Sequence, residues 1–250
     1  MKQIDIFILC YKREKLTEQT LKYLFERTSY PFRVFLLIQE DDKGNNFIAD
    51  AIFKNKIFMK VNFSINGGVH MAWNTAFALA ESEYFITSDN DILVPELRGL
   101  HKDKEDWLGR LVNYMDKRPD YGAISLHPHV FIGAAGIDPT DREEVKERNM
   151  CGAVMRIMRR EAVQKAGGWE HKIEAGRNHE EKTICSRLQI NDFKVGICSR
   201  IRAWHEFGGK NWGYPDSFTP EQQKHNPELS EYVQQFNNKD PYDLDTWMPK

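Results

Sequence analysis

Two aspartates, Asp89 and Asp91, lie one residue apart in a short polar interruption between apolar residues 84–86 and 92–95. In an extended segment, residues i and i+2 project to the same side, so both carboxylates can face one point. Such hard oxygen ligands suit Mg²⁺ or Mn²⁺, ions that commonly bridge a few carboxylates to substrate phosphates. The spacing therefore predicts a divalent-cation site, and a polar turn that ends a strand is the alternative.

A second segment with chemical potential spans residues 66–74, where Gly67 and Gly68 precede a helical pattern. Backbone amides and the positive end of the helix dipole at such a place can face an anion. The chain has neither a GxGxxG nor a GxxxxGK pattern here, so a dinucleotide fingerprint and a P-loop are both excluded. An ordinary turn before a helix is the alternative, in which His70 and Asn74 form a solvated polar face.

Two adjacent carboxylates, Glu180 and Glu181, open a later predicted helix. A carboxylate in that position can act as a general base that takes a proton from an attacking hydroxyl. Acidic residues in a first helical turn also interact favourably with the helix dipole, so helix capping is the alternative.

His205 follows the strand pattern of residues 194–198 and stands shortly before two glycines. A histidine there can ligate a metal or bind phosphate, although a lone histidine commonly does neither. His127 and His129 could also meet a metal, but we favour ordinary loop positions for them.

The elements that must position these residues alternate between strands and helices. The patterns predict strands over residues 4–10, 33–38, 58–63, 84–88, 122–126, 153–157 and 194–198. They predict helices over residues 15–27, 47–53, 69–80, 107–115, 160–166 and 180–189. Residues 127–150 are predicted as a long irregular loop, and the proline-containing tail from 208 as loops and short helices. Near-continuous apolar strands are typical of a mainly parallel central sheet flanked by helices, an α/β fold whose ligands bind beyond the strand ends.

The composition limits the classes of protein to consider. The chain has 250 residues, of which 41% are hydrophobic, and a formal net charge of -2. We expect one domain, with a nucleotide-binding half over 1–100, a catalytic half over 101–208 and a tail over 209–250. The balanced charge predicts no nucleic-acid or membrane-surface partner, and no transmembrane segment or signal peptide is predicted, so we expect a cytoplasmic location. The cysteines lack CxxC spacing, which predicts free buried thiols.

In this order, the segments resemble the GT-A glycosyltransferases, most closely glycosyltransferase family 2, over about residues 3–208. The matching segments are FILCYKREKLTEQTLKYL, LLIQEDDKGN, NGGVHMAWN, the DND of Asp89–Asp91, RREAVQKAGGWE, EEKTICSR and His205. The resemblance implies a GT-A (Rossmann-like) fold and inverting transfer of a sugar from a nucleotide-sugar donor, a UDP-sugar being favoured, to a carbohydrate acceptor.

The resemblance also implies roles for single residues. Asp91 would hold Mn²⁺ or Mg²⁺, Asp89 would share the metal or meet the ribose, and His205 would be a third ligand. Glu181 would be the base, with Glu180 as its rival. The nucleotide-sugar would contact a further set of residues: Tyr11 (on the nucleobase), Glu40 or Asp41 (on base or ribose), Arg13, Asn66, Gly68, Asn74 and Asn90.

The sequence departs from the family pattern at several positions. Glu181 stands where the family usually has Asp, Thr183 replaces a second Asp, and Trp73 replaces Arg. A catalytically inactive GT-A domain that binds a nucleotide sugar or a protein is therefore the main alternative. A sugar-nucleotide pyrophosphorylase would need a glycine-rich basic loop after the first strand, and CYKREKLTEQ has no glycine. A carbohydrate-binding module would not need the D-x-D pattern.

Overall fold

The structure is a computed structural model that describes residues 3–95, 106–129, 144–169 and 179–205. The strands are β1 (Ile4–Cys10), β2 (Phe32–Ile38), β3 (Ile57–Asn62), β4 (Tyr84–Asp89), β5 (Ile92–Leu93), β6 (Tyr121–His129), β7 (Val145–Arg148), β8 (Arg156–Arg159) and β9 (Lys194–His205). The helices are α1 (Glu14–Arg27), α2 (Lys43–Phe47), α3 (Gly68–Leu79), α4 (Trp107–Lys117), α5 (Arg160–Ala166) and α6 (His179–Ile190). A 3-10 turn over Gln39–Asp41 and a π turn over Ile48–Ile52 flank α2.

These strands form one sheet in the order β3-β2-β1-β4-β8-β6-β9-β5, and β7 pairs with β9. The first four strands are parallel, while β8 enters antiparallel to both β4 and β6. The predicted α/β fold with a central sheet flanked by helices is confirmed. Parallel strands bring the ends of β1, β2 and β4 to one edge, which is where a ligand site is expected.

Two apolar layers explain why the central strands are nearly continuous hydrophobic runs. In β1, Ile6 and Ile8 join a cluster with residues of α1 and α4. Phe7 points to the opposite face and joins a cluster with residues of α3, α5 and α6. Because side chains alternate across a strand, a strand covered by helices on both faces needs apolar residues at every position. Among the described residues, no helix is long and apolar enough to span a membrane.

The second half of the chain differs from the predicted pattern in three places. The predicted loop over 127–150 is partly wrong, because β6 continues to His129 and β7 occupies Val145–Arg148. The strand predicted over 153–157 is Arg156–Arg159 instead, since Met155 has a positive φ of 44° that interrupts an extended chain. The last strand runs on to His205 rather than ending at 198, which carries that histidine into the sheet.

Asn74 fastens α3 to the segment that follows α5. Its side-chain amide accepts from the backbone N–H of Trp169 and donates to the carbonyl of the same residue, both at 2.9 Å. Gly168, just before, has a φ of +71°, and a Cβ there would lie 2.7 Å from Asn74 Oδ1. His70, on the same helix, is buried, which does not fit the alternative in which His70 and Asn74 form a solvated polar face.

We expect Gly168→Ala to destabilise the fold more than Gly167→Ala. Both glycines have left-handed φ values, so both substitutions meet a backbone cost of about 1–2 kcal/mol. Only a Cβ at Gly168 would also press on Asn74, since the nearest contact of one at Gly167 is 3.9 Å away. The lost amide contact should add about 1 kcal/mol, measurable as a lower urea midpoint. An equal loss for both variants, or a difference that persists in an Asn74→Ala background, would contradict this explanation.

Candidate active site

A cavity of about 350 Å³ opens at the edge of the sheet where β1 and β4 end. Its polar lining comes from separate elements and consists of Tyr11, Arg13, Asp89, Asn90, Asp91, Glu180, Glu181 and His205. Eight of the residues singled out from the sequence therefore surround one space, although they are spread over almost two hundred positions.

Asp89, Asp91 and His205 form the acidic end of this cavity. Each offers a ligand atom, and these atoms lie within 4.8 Å of one another. The arrangement follows from the sheet, because β4 ends at Asp89 and β5 pairs antiparallel with β9 so that Ile92 is opposite His205. Nε2 of His205 lies 3.3 Å from Oδ1 of Asp91.

The turn between β4 and β5 is held by helix α1. Asn90 donates from its side chain to the carbonyl of Lys12 and to Thr17 Oγ1, at 3.1 and 2.8 Å. The hydroxyl of Thr20 donates to the carbonyl of Asn90 at 2.9 Å. Asn90, predicted as a cofactor contact, therefore lines the cavity and also fixes the position of the two aspartates beside it.

Arg13 provides a positive charge at the same place. Its Nη1 lies 2.9 Å from Oδ2 of Asp91. The other oxygen of Asp91, Oδ1, is buried, and no hydrogen-bond donor within the described ranges is aligned on it. A buried carboxylate oxygen with an imidazole nitrogen 3.3 Å away but no aligned donor, next to a second carboxylate, fits a divalent cation that prefers oxygen ligands.

The charges of this cluster shift each other's pKa. Burial raises the pKa of Asp89 to about 6, and the neighbouring carboxylate of Asp91 adds to the rise. Burial also acts to raise the pKa of Asp91, but the charges of His205 and Arg13 outweigh it and the pKa is lowered. For His205, burial opposes the charged form, yet the two aspartates raise the pKa. The cluster thus favours bound positive charge.

Glu180 and Glu181 lie in the first turn of α6 and line the same cavity. Burial raises the pKa of Glu181 to about 8, with a further contribution from the carboxyl group of Glu180. The Oε2 atom of Glu181 is buried and has no hydrogen-bond partner in the part of the chain that the structure describes. A carboxyl group with a pKa near neutrality is suited to accept a proton during a reaction.

A second recess of about 290 Å³ adjoins the cavity at Tyr11, which lines both. Glu40 and Asp42 line it as well, and Asp42 accepts a hydrogen bond from the backbone N–H of Lys12 at 2.6 Å. The two loops after β1 and β2 carry non-glycine residues with positive φ, namely Lys12, Arg13, Glu40 and Asp41. Such strained residues cluster at ligand sites, and Asp42, which the sequence analysis did not single out, ties the two loops together.

Four residues predicted to contact the cofactor are not in the lining of either space. The backbone N–H of Asp41 donates to the carbonyl of Phe63. Asn66 Oδ1 accepts from the backbone N–H of Gly68, and the helix start that they form brings Val69, not themselves, into the cavity lining. Asn74 is occupied by Trp169.

Several predicted features lie outside the described residues. They include the two glycines that follow His205, residues 130–143 of the predicted loop, and the tail from residue 208. The prediction that the cysteines are buried and form no disulfide is confirmed for Cys10, Cys151, Cys185 and Cys198.

Comparison with known proteins supports the resemblance found in the sequence. Residues 5–167, more than half of the chain, match the profile of the family described as Glycosyl transferase family 2. A curated relative, the poly-beta-1,6-N-acetyl-D-glucosamine synthase of Staphylococcus epidermidis, is 18% identical over 218 residues. That alignment covers 80% of this chain and 49% of the relative, so the chain spans about half the length of the curated relatives that it matches.

Two solved structures share the fold. One is the mannosyltransferase PcManGT from Pyrobaculum calidifontis in complex with GDP-Man and Mn²⁺, with a TM-score of 0.64 and 15% identity over 96% of this chain and 76% of that one. The other is S. aureus TarS 1-349 in complex with UDP, with a TM-score of 0.60 and 15% identity over 96% of this chain and 67% of that one. At this identity, the comparison establishes the GT-A fold.

Proposed function

The chain belongs to glycosyl transferase family 2, and from that premise we propose that it transfers a sugar from a nucleoside-diphosphate sugar to a hydroxyl of a carbohydrate acceptor, with inversion. One observation carries the proposal. The carboxylates suited to hold a divalent cation, Asp89 and Asp91, and the carboxylate suited to accept a proton, Glu181, line the same cavity. A UDP-sugar is the favoured donor, and GDP- and dTDP-sugars are the alternatives that the first experiment separates.

The acidic cluster would bind the donor. Asp91, Asp89 and His205 would hold Mn²⁺ or Mg²⁺, which when bound neutralises the charge that develops on the leaving diphosphate. The fold of a Mn²⁺-bound mannosyltransferase supports this choice of ion. Tyr11 and Glu40 would contact the nucleobase and ribose, since both line the recess that adjoins the cavity.

Helix α6 would supply the base that acts on the acceptor. In a single displacement, the acceptor oxygen attacks the anomeric carbon from the side opposite the diphosphate, so the configuration inverts. Glu181 would take the proton of that hydroxyl as the new bond forms. Burial, which covers Oε2, raises the pKa of Glu181 and makes it a stronger base than an exposed glutamate.

The proposal is tested first by binding. We expect a nucleoside diphosphate to raise the Tm only together with Mn²⁺ or Mg²⁺, because ligand that binds the folded state stabilises it by mass action. At about 100 times the dissociation constant the gain is about 2.7 kcal/mol, or about 5–10 °C in a domain of this size. UDP, GDP and dTDP are compared with and without the ion, and a chelator is the control.

Turnover of the donor then separates an enzyme from an inactive binding domain. Release of nucleoside diphosphate from the matching sugar nucleotide would support the transferase. Binding with no release in the presence of any carbohydrate acceptor would instead support a GT-A domain that only binds nucleotide sugar.

A further inference from the structure

Arg156, which the sequence analysis did not single out, is a fully buried residue of β8. Its Nε donates to Thr87 Oγ1 and its Nη1 to the carbonyl of Cys151, both at 3.2 Å. Within the described ranges, Nη2 is buried and has no hydrogen-bond partner. A buried cation is costly unless negative charge compensates it, so this guanidinium needs an anionic partner nearby.

Its two hydrogen bonds fix where the guanidinium lies. Thr87 is two residues before Asp89 on β4, and side chains at that spacing point to the same face. The carbonyl of Cys151 is also contacted by the thiol of Cys185, at 3.8 Å. Cys185 follows Glu181 by one helical turn on the same face of α6. The guanidinium therefore lies between the end of β4 and the first turn of α6.

Two buried carboxylate oxygens of the described residues lack a hydrogen-bond partner, Asp91 Oδ1 and Glu181 Oε2. Asp91 Oδ1 already has the imidazole of His205 3.3 Å away, so Glu181 Oε2 is the better match for this donor. Among the described residues, Glu181 Oε2 is a buried acceptor without a partner, as Arg156 Nη2 is a buried donor without one. We propose that Arg156 is a positioning residue for Glu181, whose unpaired Nη2 supplies the positive charge that compensates the carboxylate from inside the fold. The inference rests on the proposed function, in which Glu181 is the base.

The surrounding charges support this assignment. The titratable or charged groups around Glu181 are Glu180, Asp89, Asp91, His205, Arg13, Arg156, Cys151 and Cys185. Burial, Glu180 and Asp89 raise the pKa of Glu181, whereas the charge of Arg156 lowers it. Removing the guanidinium would leave an acidic cavity floor in which Glu181 ionises only at higher pH.

The groups that surround the side chain of Arg156 suit a guanidinium better than an ammonium group. Two of its nitrogens are bonded to protein, and its planar fork leaves a third nitrogen free to face an anion. The ring of Trp169 lies next to the guanidinium, with its centroid 5.7 Å from Cζ, and Trp169 is itself held by Asn74. A lysine would keep the charge but could not make all of these contacts together.

The test is the pH dependence of kcat in Arg156→Met and Arg156→Lys, with Arg159→Met as the matched control. Arg159 is another buried arginine of β8, but its odd spacing from Arg156 puts it on the opposite face, where it donates to the carbonyls of Tyr121 and Met115. The acid limb of the profile is the range in which kcat rises with pH as Glu181 loses its proton. We expect Arg156→Met to shift this limb to higher pH by about 1 pH unit or more, with kcat recovered at high pH. Arg156→Lys should move it less. Arg159→Met should leave the limb in place, and an equal loss for Arg156→Met at every pH would overturn the proposal.

An unfolding measurement keeps the inference testable without activity. A carboxyl group whose folded pKa is raised makes the protein less stable as pH rises toward that pKa, so Glu181→Gln should raise the urea midpoint at about pH 9. That gain should be larger in the Arg156→Met background than in Arg159→Met. Thr87→Val, which removes one anchor of the guanidinium, provides a milder variant if Arg156→Met does not fold. An acid limb that survives Glu181→Gln would refute Glu181 as the base, whereas an equal gain in both backgrounds would refute Arg156 as its partner.

Discussion

Asp91→Asn is expected to abolish sugar transfer, with a loss of at least about 10³-fold in kcat/KM, because a bound divalent ion contributes several kcal/mol of transition-state stabilisation. The substitution keeps the shape of the side chain and removes its charge. Arg13 and His205, which both lie against this carboxylate, would then face a neutral amide. A site with two cations and one remaining aspartate should hold a further cation poorly.

Two measurements check this result. Turnover is followed over a Mn²⁺ titration, and the Tm shift caused by nucleoside diphosphate is measured with and without the ion. Asp50→Asn is the matched control, since Asp50 is an exposed carboxylate paired with Lys60 on the surface. It should behave like the unmodified protein in both assays. Turnover by Asp91→Asn at the normal rate with the metal chelated would show that Asp91 is not a metal ligand.

The parallel half of the fold was predictable because its physical signal is local. Strands β1 and β2 are covered on both faces, and their apolar residues at nearly every position indicate this burial. Asp89 and Asp91 then stand out because polar residues directly follow such a strand. Their place at the carboxyl end of a strand in a parallel sheet predicts the edge on which they lie.

The antiparallel half was less predictable because its strands carry mixed patterns. The pairing of β6 with β9 shifts register between Leu126 and His127, so the alternation of side chains is broken within the strand. The end of β9, through His205, reads as a polar segment in isolation and becomes a strand through its pairing with β6 and β5. Local propensity is overridden there by the neighbouring strands.

Some site residues depend on geometry that no pattern contains. Glu40 and Asp41 are adjacent acidic residues that both have a positive φ, yet only Glu40 lines the recess beside Tyr11. Arg156 is a charged residue within the strand predicted over 153–157, and its complete burial depends on contacts with β4 and with the connection before β8. Sequence reasoning identifies the types of group that a site needs, whereas the partner of each group is set by packing.

Glu181→Gln is expected to lower kcat by about 10²–10⁴-fold while leaving donor affinity nearly unchanged, because it removes the proton acceptor and keeps the size of the side chain. Glu180→Gln is the matched control, one residue away in the same helical turn. Affinity for the nucleoside diphosphate is measured by titration in both variants, and kcat is measured from the acid limb to the plateau.

The two variants should change the pH profile of kcat in different ways as well as by different amounts. The pKa of Glu181, raised to about 8 by burial and by Glu180, implies that activity increases with pH as Glu181 loses its proton. Glu180→Gln removes a neighbouring negative charge, so Glu181 should ionise more easily and the acid limb should move to lower pH with little change in the plateau. Glu181→Gln should instead lower the plateau that kcat reaches at high pH. If Glu180→Gln loses the plateau and Glu181→Gln only moves the limb, Glu180 is the base, and the longer side chain at position 181 in place of the usual aspartate has changed which carboxylate reaches the acceptor.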